Sequence, residues 1–543
     1  MDQDLWYKNA VFYEIYLRAF RDADGDGVGD LRGLTQKLDY LADLGVDCIW
    51  LMPIFPSPQR DDGYDVSDFC AIADVFGTLE DFRVLLEAAH ERGIRLIMDL
   101  VMNHTSDQHP WFQSARRDRL SPFRDFYVWS DSDALYKEAR IIFLDVESSN
   151  WTWDEEAGQF YWHRFYTSQP DLNYDNPRVQ EEMLKVARFW LSLGVDGLRT
   201  DAVPYLFERE GTSCENLPET HAYLKKLRGT IDREFPGRLL LCEANQTPKD
   251  VRPYFGEGDE FHMAFHFPVM PRMYMSIGKG NAKDLREILQ RTPRIPDSCQ
   301  WCTFLRNHDE LTLEMVSEDE RQWMWERYAP ESRMRLNLGI RRRLAPLLDN
   351  DPRKIKLMHS LLFTLPGSPI IYYGDEIGMG DNIWLPDRHG VRTPMQWNTE
   401  RNAGFSSAST ELLYSQVIQG DEYGPGRVTV ADERRNPNSI WSAIRHMLRT
   451  RKEYNVFGWG ELLWLDVGND RIAAYRRRHD SHEILAIHNL SDSQEALRVR
   501  SGTPLKDLLT ARRFEPHEIA RGIELTPYQY LWLSSDPGFG SSS

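Results

Sequence analysis

The fold of this chain is decided by the stretch Asp196-Gly197-Leu198-Arg199-Thr200-Asp201-Ala202-Val203, which predicts a short buried strand that ends in polar residues. Side chains alternate along a strand, so Arg199 and Asp201 share one face. An adjacent guanidinium favours the ionised form of a carboxylate, and a nucleophilic aspartate needs that form at neutral pH. Taken alone, such a pair is more often a structural ion pair, so the rest of the chain must decide.

Short apolar runs alternate with amphipathic helical patterns along much of the chain, which is typical of βα units and a parallel sheet. Eight such units over more than about 250 residues predict an α/β protein with a (β/α)8 TIM barrel. The predicted strands lie near residues 12–16, 48–51, 94–99, 197–201, 239–243, 261–265, 301–305 and 369–373. The predicted helices include residues 34–44, 79–92, 177–193, 217–234 and 282–290.

Other segments depart from the barrel pattern. Residues 1–103 and 177–455 are predicted to form the barrel domain, and the aromatic-rich segment 104–176 is predicted to form an insertion domain after the third strand. A helical excursion is expected at about 317–351, after the seventh strand. Residues 456–543 show short alternating strands, which predict a C-terminal antiparallel β-sandwich domain.

The charge balance limits the partners of this 543-residue chain. Lys and Arg number 65 against 84 Asp and Glu, and the formal net charge of -19 repels nucleic acid and anionic membranes. We find neither a run of about 18 apolar residues nor a secretory leader pattern. We therefore expect a cytoplasmic enzyme that binds a small molecule, with no nucleic-acid or membrane partner, and with a homo-oligomer left open.

Three carboxylates are predicted to meet at one rim, because the carboxyl ends of all barrel strands converge there. Asp201 ends the fourth predicted strand, Glu243 ends the fifth, and Asp309 follows the seventh. Glycosidic bond cleavage requires an ionised carboxylate as nucleophile and a protonated carboxylic acid. The apolar residues 239–242 would desolvate Glu243 and raise its pKa, so we expect Glu243 to be the acid/base and Asp201 the nucleophile.

The segments around these strand ends resemble known motifs. Residues 99–104, 199–201, 242–245 and 306–310 are similar to four sequence motifs of the α-amylase family of glycoside hydrolases, and Gln169-Pro170-Asp171-Leu172-Asn173 is similar to a fifth. The resemblance spans almost the whole chain. It implies a barrel domain, an insertion domain after the third strand and a C-terminal β-sandwich.

The resemblance also implies a role for each matching residue. Asp201 would be the nucleophile, Glu243 the general acid/base, and Asp309 the residue that binds and distorts the reacting sugar. Further residues would contact the sugar: Asp61, Tyr64, His104, Arg199, His308 and Arg392. Asp61 and Arg392 would pair at the non-reducing end, which implies a pocket for a short substrate from which one terminal glucose is processed.

Two calcium sites are expected. The stretch Asp22-Ala23-Asp24-Gly25-Asp26-Gly27-Val28-Gly29-Asp30 places oxygen ligands as in the front of an EF-hand loop, although Gly33 stands where the last glutamate would be. The resemblance implies a structural Ca²⁺ here rather than a bare acidic turn, held by Asp22, Asp24, Asp26, Val28 and Asp30. It implies a second one between barrel and insertion, held by Asn103, Asp171, Glu208 and the carbonyls of Tyr205 and Leu206. No organic cofactor is expected.

The most specific expectation concerns the reaction. Residues 202–221, 307–314 and 339–350 are most similar to family members that convert maltose to trehalose by intramolecular transglucosylation, with minor hydrolysis. The loop 208–221, with Phe165 beside the substrate, is expected to keep water out. One alternative is a hydrolytic α-glucosidase or oligo-1,6-glucosidase. A second is a non-catalytic carbohydrate-binding or transport-associated relative, against which the intact carboxylate trio counts.

Overall fold

The computed structural model describes residues 3–499 and 501–535, and its centre is a closed barrel of eight parallel strands. Around the barrel the strand order is β1, β2, β3, β7, β8, β9, β10 and β13, and β13 pairs with β1 again. The strands, in chain order, are β1 Phe12–Ile15, β2 Cys48–Leu51, β3 Arg95–Val101, β4 Trp129–Ser130, β5 Trp151–Asp154, β6 Gln159–Trp162, β7 Gly197–Asp201, β8 Leu239–Cys242, β9 Met263–Phe265, β10 Gln300–Phe304, β11 Arg335–Leu336, β12 Gly339–Ile340, β13 Ser368–Tyr372, β14 Glu461–Trp464, β15 Ile472–His479, β16 His482–Asn489, β17 Glu495–Leu497, β18 Leu505–Asp507, β19 Arg513–Phe514, β20 Ile523–Leu525 and β21 Tyr530–Ser534.

The helices lie mostly between barrel strands, as the alternating pattern predicts. Several begin with a side-chain cap: Thr78 and Asp81 form a capping box, and Asn176 caps a helix whose first residue is Pro177. The helices are α1 Leu17–Phe20, α2 Leu31–Gln36, α3 Leu38–Leu44, α4 Leu79–Glu91, α5 Pro110–Arg117, α6 Pro177–Ser192, α7 Pro218–Glu234, α8 Pro248–Val251, α9 Val269–Lys279, α10 Lys283–Arg291, α11 Glu318–Tyr328, α12 Leu344–Leu347, α13 Pro352–Thr364, α14 Val430–Arg435, α15 Ile440–Glu453, α16 Val456–Trp459 and α17 Pro516–Arg521.

The stretch 196–203, with which the sequence analysis began, contains β7 and lies in the barrel wall. All five residues of β7 are buried between β3 and β8, as a parallel strand covered on both faces requires. A Cβ at Gly197 would lie 2.6 Å from the carbonyl oxygen of Leu239, so only glycine allows this close approach to β8. The strand therefore holds Arg199 and Asp201 in a rigid wall.

The other segments add smaller sheets. A three-stranded antiparallel sheet of β4, β6 and β5 lies between β3 and β7 in the chain. After β10, helix α11 is followed by the short hairpin of β11 and β12, so the segment expected to be helical is only partly so. Residues 34–44, expected to form one helix, belong to α2 and α3, which meet at Lys37.

The C-terminal region contains a six-stranded sheet and the two-stranded sheet of β17 and β20. It packs on the barrel through α13, where the Ser360 hydroxyl accepts a hydrogen bond from Trp532 Nε1 at 2.8 Å and lies 2.9 Å from His488 Nε2. The predicted fold class is thus confirmed. Within the described residues, no helix is both long and apolar enough to cross a membrane.

Candidate active site

The three predicted carboxylates lie together at the carboxyl ends of three barrel strands. Asp201 ends β7, Glu243 follows β8 and Asp309 follows β10. All three line one cavity of about 130 Å³. Its wall also contains predicted substrate residues and residues that the sequence did not single out: Asp61, Tyr64, His104, Ile142, Phe143, Phe165, Ala202, Pro204, Tyr205, Asn245, Phe267, His308, Glu310, Thr312, Glu314 and Arg388.

Arg199 lies under this cavity and connects the two carboxylates expected to act on the glycosidic bond. Its guanidinium lies 2.6 Å from Asp201 Oδ1 and 2.6 Å from Glu243 Oε1. A third partner, Asp99 at 2.5 Å, is fixed by the indole N–H of Trp50. Because the side chain of Arg199 is 1% exposed and bonded on three sides, it orients both acids without movement of its own.

Burial and neighbouring charges act on the carboxyl group of Glu243. Burial raises the pKa of Glu243 well above its usual range, and the nearby Asp201 carboxylate raises it further against the opposing charge of Arg199. A raised pKa favours the protonated form, which a general acid needs. Immediately after Asp201 the chain turns through Ala202 at a φ of +53°, a left-handed conformation that non-glycine residues rarely adopt.

The pKa of Asp309 is shifted in the opposite direction from that of Glu243. It accepts hydrogen bonds from Arg388 at 2.7 Å and Arg392 at 3.1 Å, and His308 Nε2 lies 3.2 Å away. Burial alone would raise the pKa of Asp309, but His308 and the two guanidinium groups hold it well below its usual range. Asp309 is thus an ionised hydrogen-bond acceptor at the cavity wall.

The predicted pair of Asp61 and Arg392 is wrong. Asp61 pairs with Arg388 at 2.6 Å, whereas Arg392 is buried behind the cavity and pairs with Asp62 and Asp309. Arg388 therefore spans Asp61 and Asp309 in the position expected of Arg392. The two arginines lie four residues apart after β13, and nothing in the sequence distinguishes which one reaches the cavity.

Two aromatic pairs flank the carboxylates. The Tyr64 ring stacks on His308 with centroids 5.3 Å apart and an interplanar angle of 11°. The His104 ring lies 5.3 Å from Phe165, and burial lowers its pKa to about 4, so His104 is neutral at neutral pH. The predicted substrate residues Tyr64, His104, Phe165 and His308 all line the cavity, and rings and polar atoms of this kind suit a sugar.

The insertion segment covers the cavity from one side. The ring centroid of Phe143 lies 4.4 Å from that of Tyr166 and 5.6 Å from that of Phe165. The guanidinium carbon of Arg388 lies 5.6 Å from the centroid of the Phe143 ring. Phe143 and its neighbour Ile142 carry no motif, and no signal in the sequence separates them from other aromatic or apolar residues of the insertion. They form the apolar part of the cavity wall.

Ion pairs and hydrogen bonds join this cover to the segments that follow β7 and β10. Arg140 donates to Glu314 at 2.8 Å and to Glu215 at 2.9 Å. Nearby, the backbone N–H of Asn337 donates to Asp145 at 2.7 Å, and its side chain donates to Glu310 at 3.2 Å. We call these two sets of contacts the roof contacts. Two of them, Arg140 with Glu314 and Asn337 with Asp145, bridge segments of the chain that are 174 and 192 residues apart.

The expectation that the loop 208–221 keeps water out stays a prediction. None of its residues lines the described cavity, although Phe165 does. The loop contributes Glu215, whose carboxylate forms ion pairs with Arg140 and with the buried guanidinium of Arg164, each with an N···O distance of 2.9 Å. Through Glu215 the loop is thus joined to the insertion segment that covers the cavity.

The first predicted metal loop brings three carboxylates together. Oxygens of Asp22, Asp24 and Asp30 lie within 4.8 Å of one another. Asp26 is outside this group, and its carboxylate accepts the backbone N–H of Val28 at 2.8 Å. Asp22 already accepts the backbone N–H groups of Gly25 and Gly27. Oxygen ligands of this kind suit Ca²⁺, although fewer carboxylates converge than the sequence predicted.

The second predicted metal site shows an unusual set of oxygens. Asn103 Oδ1, Asp171 Oδ2 and Glu208 Oε1 are buried, and none has a hydrogen-bond partner among the described residues. Burial raises the pKa of Asp171 to about 8 and raises that of Glu208 well above its usual range, with the charge of Asp171 contributing. Unpaired buried oxygens are costly, so the residues fit an oxygen-seeking cation. The carbonyls of Tyr205 and Leu206 follow β7 in the same region.

Comparison with known proteins agrees with this geometry. The model of the alpha amylase catalytic domain matches residues 14–334 and 340–460. The trehalose synthase/amylase TreS of Mycobacterium tuberculosis is 54% identical, with 98% of this chain and 89% of that protein covered. Trehalose synthase of Thermus thermophilus is 49% identical over 98% of this chain and 56% of its own length.

A solved structure shares the fold over almost the whole chain. A mutant of trehalulose synthase MutB, solved in complex with the substrate sucrose, superposes with a TM-score of 0.80 at 27% identity and covers 97% of this chain and 99% of its own. The matched family model and the relatives cover nearly all of the barrel and its cavity. This chain is therefore an enzyme that belongs to the α-amylase family.

Proposed function

We propose that this enzyme converts maltose to trehalose by moving one glucose within the cavity, with minor hydrolysis to glucose. Relatives named trehalose synthase, 49–57% identical over 90% or more of the chain, support the choice of reaction. The observation that carries the proposal is the cavity itself, in which a nucleophile and an acid suited to a retaining mechanism lie beneath a cover held by the roof contacts.

In the first step Asp201 Oδ attacks the anomeric carbon of the non-reducing glucose while Glu243 donates its proton to the glycosidic oxygen. The bond between anomeric carbon and that oxygen breaks, which leaves a glucosyl ester on Asp201 and a free glucose. Arg199 orients both carboxyls, and Asp309 accepts hydrogen bonds from hydroxyls of the reacting ring. Asp61 and Arg388 close the end of the cavity, so one glucose unit is processed.

In the second step the freed glucose turns and attacks with its anomeric hydroxyl. Glu243, now ionised, takes the proton of that hydroxyl, and the ester bond to Asp201 breaks. Two inversions at the same carbon keep the α configuration, and the product is linked through both anomeric carbons. Water that enters before the glucose has turned gives hydrolysis instead, so the roof contacts set the product ratio.

We also propose two structural Ca²⁺ sites. Asn103, Asp171 and Glu208, with the carbonyls of Tyr205 and Leu206, would hold one ion between barrel and insertion, where their unpaired oxygens support it. Asp22, Asp24 and Asp30, with Asp26 and Val28 nearby, would hold the other. A bound ion there supplies cross-linking of the loops and takes no part in the glycosyl transfer.

A product analysis on maltose tests the proposed reaction. Purified enzyme is incubated with maltose and an excess of isotopically labelled glucose, and the products are separated by chromatography. We expect trehalose that carries little label, because the transferred and accepting glucose both come from one maltose. Glucose as the sole product would instead establish a hydrolase, and trehalose labelled in one of its two glucose units would show that the freed glucose leaves the cavity.

A further inference from the structure

A second buried carboxylate, Glu14 of β1, lies directly behind the candidate active site. Its side chain is fully buried, and Oε1 lies 2.5 Å from Nδ1 of His308. The backbone N–H of His308 donates to the same Oε1 at 3.3 Å. The other oxygen, Oε2, has no hydrogen-bond partner in the described part of the chain. Glu14 is not among the residues that line the cavity and has no role in the proposed mechanism.

The opposite nitrogen of His308 faces the reacting centre. Nε2 lies 3.2 Å from Oδ2 of Asp309, and the ring is clamped between Tyr64, which stacks on it, and Trp50, 5.7 Å away edge-on. An ionised Asp309 can accept a hydrogen bond from Nε2 only if that nitrogen carries a proton. An Nε2 without a proton would point its lone pair at the Asp309 carboxylate, which is repulsive. It would also leave the sugar site with one hydrogen-bond donor fewer.

We propose that Glu14 is a positioning residue that keeps a proton on Nε2 of His308, so that this single N–H can be donated to Asp309 or to the sugar hydroxyl beside it. The inference rests on the proposed function for the identity of that sugar. It adds to the site a residue that does not touch the substrate and acts through the histidine ring.

The geometry at Oε1 explains why a carboxyl is needed. The backbone N–H of His308 requires an acceptor at this position, and Nδ1 must meet the same atom. A carboxylic O–H can accept from the backbone and donate to Nδ1, which leaves the ring proton on Nε2. A carboxylate paired with a doubly protonated ring has the same consequence. In both cases Glu14 and His308 share one proton beyond the one on Nε2.

Burial favours the first of these forms. It raises the pKa of Glu14 well above its usual range and lowers that of His308 well below its usual range, and both shifts favour the neutral form of the group. A glutamine at position 14 would present its carbonyl oxygen to the backbone N–H. That oxygen can only accept from Nδ1, so the ring proton would move away from Nε2.

The test combines a spectroscopic and a kinetic measurement on the full chain. In the wild type labelled with ¹⁵N-histidine, we expect the ¹⁵N shifts to report a protonated Nε2 at His308, whose signal is identified by its loss in His308→Asn. In Glu14→Gln we expect that proton on Nδ1 instead. We expect kcat/KM for maltose to fall about 10- to 100-fold, the usual cost of a misplaced positioning group.

A matched control separates positioning from the general cost of neutralising a buried carboxyl. Glu376 is also fully buried and accepts hydrogen bonds from Tyr13 and Tyr40, away from the cavity. We expect Glu376→Gln to leave the His308 signal unchanged. A wild-type His308 with its only ring proton on Nδ1, or a Glu14→Gln protein that keeps the Nε2 proton, would overturn the inference. The wild-type spectrum requires neither substrate nor a variant at position 14. It therefore tests the inference about Glu14 even if the enzyme does not act on maltose.

Discussion

The floor and the roof of the cavity are built in opposite ways. The floor consists of buried side chains on adjacent strands, in which Arg199 holds Asp201 and Glu243 at 2.6 Å each. The roof consists of loop residues joined across long stretches of chain, and the side chain of Arg140 that closes it is 39% exposed. The contrast indicates that the floor determines whether a glycosidic bond breaks and the roof determines which acceptor receives the glucose.

The largest effects are expected on the floor. Asp201→Asn removes the nucleophile, and we expect kcat for maltose to fall by about 10⁴-fold or more, as in other enzymes that lose a covalent nucleophile. Glu243→Gln removes the proton donor, and we expect a loss of about 10²- to 10⁴-fold. Initial rates of maltose consumption measure both.

An α-glucosyl donor with an acidic leaving group distinguishes the two roles. Such a leaving group needs little protonation, so Glu243→Gln should form the glucosyl ester from α-glucosyl fluoride almost normally. Asp201→Asn should stay inactive on both donors. If the two variants respond alike to the change of leaving group, the assignment of nucleophile and acid is incorrect.

A smaller effect is expected at the edge of the floor, where Arg388 replaces the predicted partner of Asp61. Arg388→Ala removes the guanidinium partner of Asp61 and one of the two guanidinium partners of Asp309. Because the freed carboxylates can then shift away from the sugar, we expect kcat/KM for maltose to fall by about 10²-fold. Arg388→Lys keeps the charge but cannot span both carboxylates, so it should recover only part of the activity. Unchanged kinetics in Arg388→Ala would show that this end of the cavity does not bind sugar.

The same contrast explains what the sequence could predict. Asp201, Glu243 and Asp309 each stand at or just after the end of a strand that the sequence predicts, and the rule that barrel strands share one rim was sufficient to bring them together. The pairing of Arg388 with Asp61 required the path of a loop after β13, which no local pattern specifies. Glu14 was equally hidden, because a glutamate in a buried strand has no motif.

The roof was the least predictable part. The contact between Arg140 and Glu314 joins residues 174 positions apart, and neither lies in a periodic element that would fix its direction. The loop 208–221 was a reasonable candidate from its resemblance to relatives, yet the nearer segment with Phe143 occupies the cavity wall. Side-chain partners across two loops depend on tertiary packing, which propensity and periodicity do not contain.

The roof contacts should alter products more than rate. Arg140→Ala removes the donors to Glu314 and Glu215, and a partly exposed ion pair is worth about 1 kcal/mol, so we expect about a 5-fold rise in the ratio of glucose to trehalose. Arg116→Ala is the control, because Arg116 pairs with Asp154 and Glu156 in the same insertion without lining the cavity. An equal product ratio in the two variants would remove Arg140 from the barrier to water.

The smallest effect concerns the predicted Ca²⁺ between the floor and the roof. The pKa of Asp171 is raised from 3.8 to about 8 by burial, so the metal-free folded state holds a proton that the unfolded chain releases. Stability from this proton is fully present below about pH 4 and is lost as pH rises through about 8. A bound cation replaces the proton, so the gain in Tm of a few degrees on adding Ca²⁺ to chelated protein should grow across this range. Differential scanning fluorimetry measures it, with Asp171→Asn as the variant in which the gain should largely disappear. A gain that is the same at every pH, or that survives in Asp171→Asn, would place the stabilising ion at the Asp22 loop and leave the join between barrel and insertion to the protein's own contacts.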